Sequence, residues 1–169
     1  MMVADKNRIL DKKQVLQIVK RIAFQIYENN YKAKEIIIAG IFDKGYRFAE
    51  LLVSELSRFE GVQVRSIKVE LHKVAKTQPE VSLDSSLAEL KGKTVILTDD
   101  VLNTGRAMIF SLQPFLSIPL AKLQTAVIVD RGHKLFPVSP DYVGYSMATT
   151  LKEHVEVCFD EKDFGVYLH

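Results

Sequence analysis

A single cysteine in 169 residues, Cys158, rules out an intrachain disulfide and any cysteine-rich metal cage. It sits in Val155-Glu156-Val157-Cys158-Phe159, an alternating apolar stretch, where a plain buried thiol is expected rather than a nucleophile. No apolar run approaches the roughly 20 residues that a bilayer requires, so no membrane association is expected. The opening Met1-Met2-Val3-Ala4-Asp5-Lys6 lacks the apolar core of an export signal, which makes the cytoplasm the expected compartment. Charge of one sign is also lacking: 23 basic against 21 acidic residues leave a net +2. That is too little to draw DNA or RNA by bulk field, so any anion must be held by local placement of donors. The four histidines, His72, His133, His154 and His169, are dispersed and form no metal-ligand spacing.

What is present suits a compact α/β enzyme. A hydrophobic content of 47% over this length supports one sizeable core, and a single domain spanning 1–169 is expected. Strand-like and helix-like patterns alternate. Asp11 is placed to cap a helix whose apolar residues Val15, Leu16, Ile18, Val19, Ile22, Ala23, Ile26 and Tyr27 recur at helical spacing. Glu35-Ile36-Ile37-Ile38-Ala39-Gly40 is a run of the kind buried on both faces of a parallel sheet. A second helix should carry Phe48, Leu51, Leu52, Leu56 and Phe59 on one side, with Gly61 closing the unit. Val64, Ile67, Val69 and Leu71 suggest a strand, and the aperiodic stretch from His72 to Leu83 a mobile loop. Further strands are expected at 94–98, 123–129, 142–144 and 154–159, and a helix that runs to about Phe115 with a break at Pro114 and Pro119. This order predicts a parallel sheet flanked by helices, Rossmann-like, with ligands at the C-terminal ends of the strands.

The most informative stretch is Val95-Ile96-Leu97-Thr98-Asp99-Asp100-Val101-Leu102-Asn103-Thr104-Gly105-Arg106. An apolar strand delivers two adjacent carboxylates, and a Thr-Gly turn then opens a helix. Two carboxylates can accept hydrogen bonds from vicinal ribose hydroxyls, while turn and helix N–H groups can hold a phosphate. An Asp pair can equally cap a helix, and a Gly can simply serve a tight turn. Two other loops follow buried strands. In Gly40-Ile41-Phe42-Asp43-Lys44-Gly45 the glycines allow close backbone approach to a pyrophosphate and Lys44 adds charge, although an ordinary turn reads the same way. The loop Asp130-Arg131-Gly132-His133-Lys134 after the strand at 123–129 is, by itself, a solvated turn.

The Asp-Asp segment resembles the phosphoribosyl pyrophosphate (PRPP) motif of type I phosphoribosyltransferases. With the Asp-Arg-Gly-His loop, Pro137 and Asp141-Tyr142-Val143-Gly144, the chain is similar to pyrimidine attenuation regulators that double as uracil phosphoribosyltransferases. The resemblance runs from Arg21-Ile22-Ala23 to about residue 144. It implies the type I fold with a small hood over the base, and a pyrophosphate loop that often carries a strained or cis peptide. It implies that Asp99 and Asp100 serve the ribosyl centre, that Asn103, Thr104, Gly105, Arg106 and Ala107 surround the 5′-phosphate, and that Lys44 and Gly45 lie near the pyrophosphate. Asp130, Arg131 and His133 fall on the base side. The substrates implied are PRPP and a nucleobase, uracil favoured. The cofactor implied is Mg²⁺, carried mainly by substrate with Asp99 as its protein contact, and the assembly is a homodimer or larger homo-oligomer.

The departures narrow the function. Ala107 stands where the family commonly has Thr or Ser, and Leu71-His72-Lys73-Val74-Ala75-Lys76 replaces a flexible loop containing an arginine. Phe24, Ser139 and Tyr145 occupy positions where the regulators carry His or basic residues that contact messenger RNA, which counts against RNA attenuation. Lys20, Arg21 and Lys134 keep part of a basic surface. Three alternatives accompany uracil transfer: an RNA-binding regulator, a PRPP-binding protein with little turnover, and a purine phosphoribosyltransferase.

Overall fold

The computed structural model describes residues 7–72 and 79–169. The tract Lys73-Val74-Ala75-Lys76, expected within a mobile loop, lies outside them. Strand β1 (Asn7–Asp11) runs directly into helix α1 (Lys12–Asn29). The junction is a capping box. Asp11 Oδ1 accepts from the Gln14 N–H at 2.8 Å, and Gln14 Oε1 accepts from the Asp11 N–H at 2.9 Å. The apolar stripe Val15, Val19, Ile22, Ala23 and Ile26 is buried, while Ile18 and Tyr27 at its margin are only partly buried and Leu16 is exposed.

Strand β2 (Glu35–Ile41), helix α2 (Lys44–Leu56) and strand β3 (Gln63–His72) form the first parallel unit, followed by β4 (Glu80–Leu83) and the short helix α3 (Leu87–Leu90). Then come β5 (Thr94–Leu102), α4 (Arg106–Leu116), β6 (Lys122–Asp130) and β7 (Tyr142–Ser146). The six-stranded sheet has the order β4-β3-β2-β5-β6-β7, parallel except for the β3–β4 pair. Its central strands are apolar on both faces because both are covered. Ile36, Ile38, Ile96, Ala126 and Ile128 pack with α1 and α2 on one side. Ile37, Ala39, Val95, Leu97 and Val127 pack with Met108 and Phe115 of α4 on the other.

A second sheet, antiparallel in the order β1-β9-β8, joins the chain start to β8 (Val155–Cys158) and β9 (Gly165–Leu168). Its Leu10, Val155, Val157 and Val166 extend the core on the α1 side. This small sheet is the hood.

Three expectations need correction. Residues 80–83 are not loop but strand β4, paired with β3 from Val69 to His72; a short edge strand with alternate residues exposed carries little apolar signal. Pro114 does not break α4. It sits in the last turn, where the helix ends anyway, and its carbonyl accepts both the hydroxyl and the N–H of Ser117. Cys158 is only partly buried, because the alternation of β8 turns Val155 and Val157 inward, and its Sγ lies 3.7 Å from Asp160 Oδ2. Among the described residues, no helix is long and apolar enough to cross a membrane.

Candidate active site

Every candidate residue is carried by the C-terminal end of a parallel strand, where the strand order of an open α/β sheet leaves a crevice. Strand β5 is the centre. It pairs with β2 up to Thr98, opposite Gly40, and continues beside β6 to Leu102, opposite Asp130. Asp99 and Asp100 are therefore presented where β2 has already turned into α2. Both are part-buried.

Desolvation, with the neighbouring Asp100 carboxyl adding to it, pushes the Asp99 carboxyl well above the ordinary carboxylate range. Among the described residues one backbone donor opposes this, the Asp100 N–H at 2.9 Å from Asp99 Oδ1. Asp99 thus carries a proton more readily than a solvated Asp, and a cation or hydroxyl donors brought to it would restore the ionised form.

The start of α2 is pressed onto this strand end. Thr98 Oγ1 donates to the Gly45 carbonyl at 2.9 Å. A Cβ at Gly45 would stand 2.6 Å from the Thr98 carbonyl oxygen and 3.2 Å from Asp99 Oδ1, so only glycine fits. The peptide bond between Phe42 and Asp43, just ahead of α2, is cis. Lys44 Nζ pairs at 3.5 Å with Glu156 of the hood strand β8, and Glu156 Oε2 lies 3.4 Å from His169 Nε2. Neither Glu156 nor His169 carries a motif, and their approach to the Lys44 loop exists only once the hood has folded.

Beyond Leu102 the chain turns through Asn103 and Thr104 into Gly105, whose φ of +85° is the left-handed conformation that opens α4. Thr104 Oγ1 accepts from the Arg106 N–H at 3.2 Å. The first turn of a helix supplies N–H groups with no helical acceptor, an anion site in general form. The Arg106 guanidinium stacks on Phe110 and Phe136, 4.8 and 5.9 Å from the ring centres. Ala107 is partly exposed on this first turn.

The third loop stands directly behind the turn. Thr104 O accepts from the N–H groups of Leu135 at 2.8 Å and Phe136 at 3.1 Å. Asp130 Oδ1 accepts from the Gly132 N–H at 2.9 Å, and Lys134 Nζ lies 3.7 Å from Asp130 Oδ2. His133 Nε2 is 2.6 Å from the Thr149 carbonyl oxygen and 3.0 Å from its hydroxyl. Arg131 is buried. Its Nη1 donates to Asn103 Oδ1 at 2.8 Å, its Nε to Thr149 Oγ1 at 3.1 Å, and its Nη2 to the carbonyls of Thr150 and Glu153. Asp99, Asp100, the 103–107 turn, Gly45 and the 130–133 loop are thus brought to one end of the sheet. Arg131 and His133 are turned towards the segment 149–153 rather than left free.

Among the described residues, no group of three or more His, Cys, Asp or Glu side chains is placed to hold a metal ion. The donor set is the Asp99–Asp100 pair alone, which suits a hard cation held largely by substrate oxygens and water rather than by a protein cage.

Residues 5–162 match the phosphoribosyl transferase domain. The chain belongs to this family. Relatives named bifunctional protein PyrR are similar over nearly the whole length. The one from Deinococcus radiodurans is 36% identical over 96% of this chain and 92% of its own, and that from Thermoanaerobacter sp. is 33% identical over 94% and 93%. The fold is shared with a hypoxanthine phosphoribosyltransferase of Trypanosoma cruzi in a ternary substrates complex, with TM-score 0.78, 18% identity and coverage of 99% and 97%. It is shared too with a Bacillus anthracis hypoxanthine-guanine phosphoribosyltransferase, with TM-score 0.74, 19% identity and coverage of 86% and 85%.

Proposed function

We propose that this protein transfers the ribose 5-phosphate group of PRPP to a nucleobase, uracil favoured, releasing pyrophosphate. The observation that carries this is the seating of Gly45 against Asp99. It puts the loop read as the pyrophosphate site beside the carboxylate pair, one turn of chain ahead of the phosphate turn at 103–107. A ligand spanning these features carries a pyrophosphate, a diol and a phosphate, which is the pattern of PRPP. Asp99 and Asp100 accept from the ribose hydroxyls and face the positive charge that develops at the anomeric carbon, so catalysis is positioning and charge stabilisation. The turn N–H groups hold the 5′-phosphate, and Lys44 exchanges Glu156 for pyrophosphate oxygens.

Mg²⁺ fits this arrangement: Asp99, whose carboxyl has no cation partner among the described residues, would contact an ion held by substrate oxygens, and the ion would offset the charge of the departing pyrophosphate. The base side is formed by the Asp130 loop together with segment 149–153. Uracil is favoured by the sequence resemblance to the pyrimidine regulators and by relatives of the PyrR type; the hypoxanthine enzymes share the fold at under a fifth identity and carry no weight on the base. A homo-oligomer fits the exposed Phe24, Leu116, Leu135 and Leu151, and light scattering reads it directly. The test of the function is pyrophosphate release with PRPP and Mg²⁺ across uracil, hypoxanthine, guanine and xanthine. Turnover with uracil alone is expected; binding of PRPP with no release for any base overturns it.

A further inference from the structure

Arg131 is a buried cation whose hydrogen-bond partners are all neutral oxygens: Asn103 Oδ1, Thr149 Oγ1 and the carbonyls of Thr150 and Glu153. Among the described residues no carboxylate stands within ion-pair distance of it. Burying a guanidinium is costly; the Glu153 carboxylate, which the Arg131 charge helps to hold below its ordinary range, offsets part of that cost through space, and the hydrogen bonds offset more of it. Such a charge is retained where its field or its geometry is used. Both point one way here. The Nη1 arm ends on the first residue of the turn that precedes α4, and the other arms end on the segment that runs from β7 to the hood.

We infer that Arg131 is a positioning residue that couples the phosphate turn at Asn103–Gly105 to the base-side segment 149–153, so that a 5′-phosphate on one orders the other. This deepens the phosphoribosyl-transfer function proposed above and rests on it. The link has few degrees of freedom. A guanidinium is planar, so fixing Nη1 on Asn103 fixes the direction of Nε and Nη2. His133 clamps Thr149 from the same loop at 2.6 and 3.0 Å, and Thr104 O is held by Leu135 and Phe136, so the loop between the two ends is itself anchored. A phosphate seated on the turn is attracted by the Arg131 charge and holds Asn103 against Nη1. The guanidinium plane then sets the Thr149 hydroxyl and the carbonyls of Thr150 and Glu153, and with them the wall against which a base would lie. Neither arm needs to touch substrate.

The test uses ribose 5-phosphate as probe and amide hydrogen exchange as readout, on the full chain and on Asn103→Ala, Arg131→Lys and the double variant. In the wild type the probe should protect amides in both 103–108 and 147–153. In Asn103→Ala, which leaves the other bonds of Arg131 intact, protection at 147–153 should fall at least threefold more than protection at 103–108. Arg131→Lys keeps the charge but cannot span four acceptors, and should behave alike; the double variant should be no worse than either single one. In turnover, Arg131→Lys should raise the KM for the base more than fivefold, and by more than it raises the KM for PRPP. Undiminished protection at 147–153 in Asn103→Ala overturns the coupling while leaving the function standing. Absence of protection at 103–108 in the wild type overturns the phosphate site itself, and the coupling with it.

Discussion

Gly45 and Asp99 meet so closely that one methyl group cannot be inserted between them. The space that a Cβ would need at Gly45 is already taken by the Thr98 carbonyl oxygen at 2.6 Å and by Asp99 Oδ1 at 3.2 Å. The obstacle at the shorter distance is backbone in the middle of a parallel sheet, which cannot swing aside. Two loops far apart in sequence are thereby locked into one site.

The first prediction follows from that contact. Gly45→Ala should force the start of α2 away from β5 and cost about 1–3 kcal/mol of stability, the usual range for overpacking. Turnover should fall more than tenfold, because Lys44 and Asp99 move apart together. Denaturant unfolding and pyrophosphate release measure the two effects. A fully stable, fully active Gly45→Ala protein would contradict the contact.

A second prediction uses the carboxylate pair. Asp99 is held well above the ordinary carboxylate range by burial and by Asp100, so between about pH 4 and its folded value the folded state keeps a proton that the unfolded state has lost. The sign is therefore destabilising: stability falls as pH rises through that window, by up to about 1.4 kcal/mol per unit. Asp99→Asn removes this penalty. It should be more stable than wild type at pH 8, converge with it near pH 4, and lose at least a hundredfold in PRPP turnover. Urea titrations at several pH values check the crossing, and equal stability at pH 8 would refute it.

The third concerns the phosphate turn. Ala107 is partly exposed on the first turn of α4, so a hydroxyl can be accommodated there. Ala107→Thr should leave PRPP affinity unchanged or improve it up to about fivefold, since a new neutral donor to a phosphate contributes on the order of 1 kcal/mol. Titration calorimetry with PRPP reads this. A tenfold loss would mean that the turn does not wrap a phosphate.

Much of this architecture was legible in the residues themselves. Asp11 announces the start of α1, and the strings Ile36-Ile37-Ile38 and Val95-Ile96-Leu97 can be buried on two faces only inside a covered parallel sheet. The hood was legible only as far as β8. Strands β1 and β9 are four or five residues long and gain their partners from opposite ends of the chain, so no local pattern marks them. The same holds within the site. Asp99 and Gly105 declare themselves by motif, whereas the pairing of Lys44 with Glu156, and of Arg131 with Thr149 and Glu153, arises from packing between distant segments. Arg131 stood in the right loop but faces its own scaffold. Sequence can place such a residue in a loop, but the direction of its side chain depends on the acceptors that folding brings near it.

The last prediction is that attenuator-type RNA binds weakly. Phe24, Ser139 and Tyr145 are exposed, yet none offers a cation to a phosphate, and the nearby basic residue of α1, Arg21, is engaged by β7. Its guanidinium donates to Val143 O at 3.3 Å and to Gly144 O at 2.5 Å, tying α1 to the edge strand β7. Releasing it to reach RNA would cost those bonds. Arg21→Ala should therefore lower folding stability by about 1 kcal/mol, a modest figure because the side chain is exposed, while changing RNA affinity less than twofold. Filter binding to a pyrimidine-operon leader hairpin at physiological salt, with and without uridine nucleotides, should give a dissociation constant above the micromolar range and a shallow salt slope. Nanomolar binding strengthened by nucleotide, and lost in Arg21→Ala, would make this face an RNA reader and Arg21 its contact rather than a tie between helix and sheet.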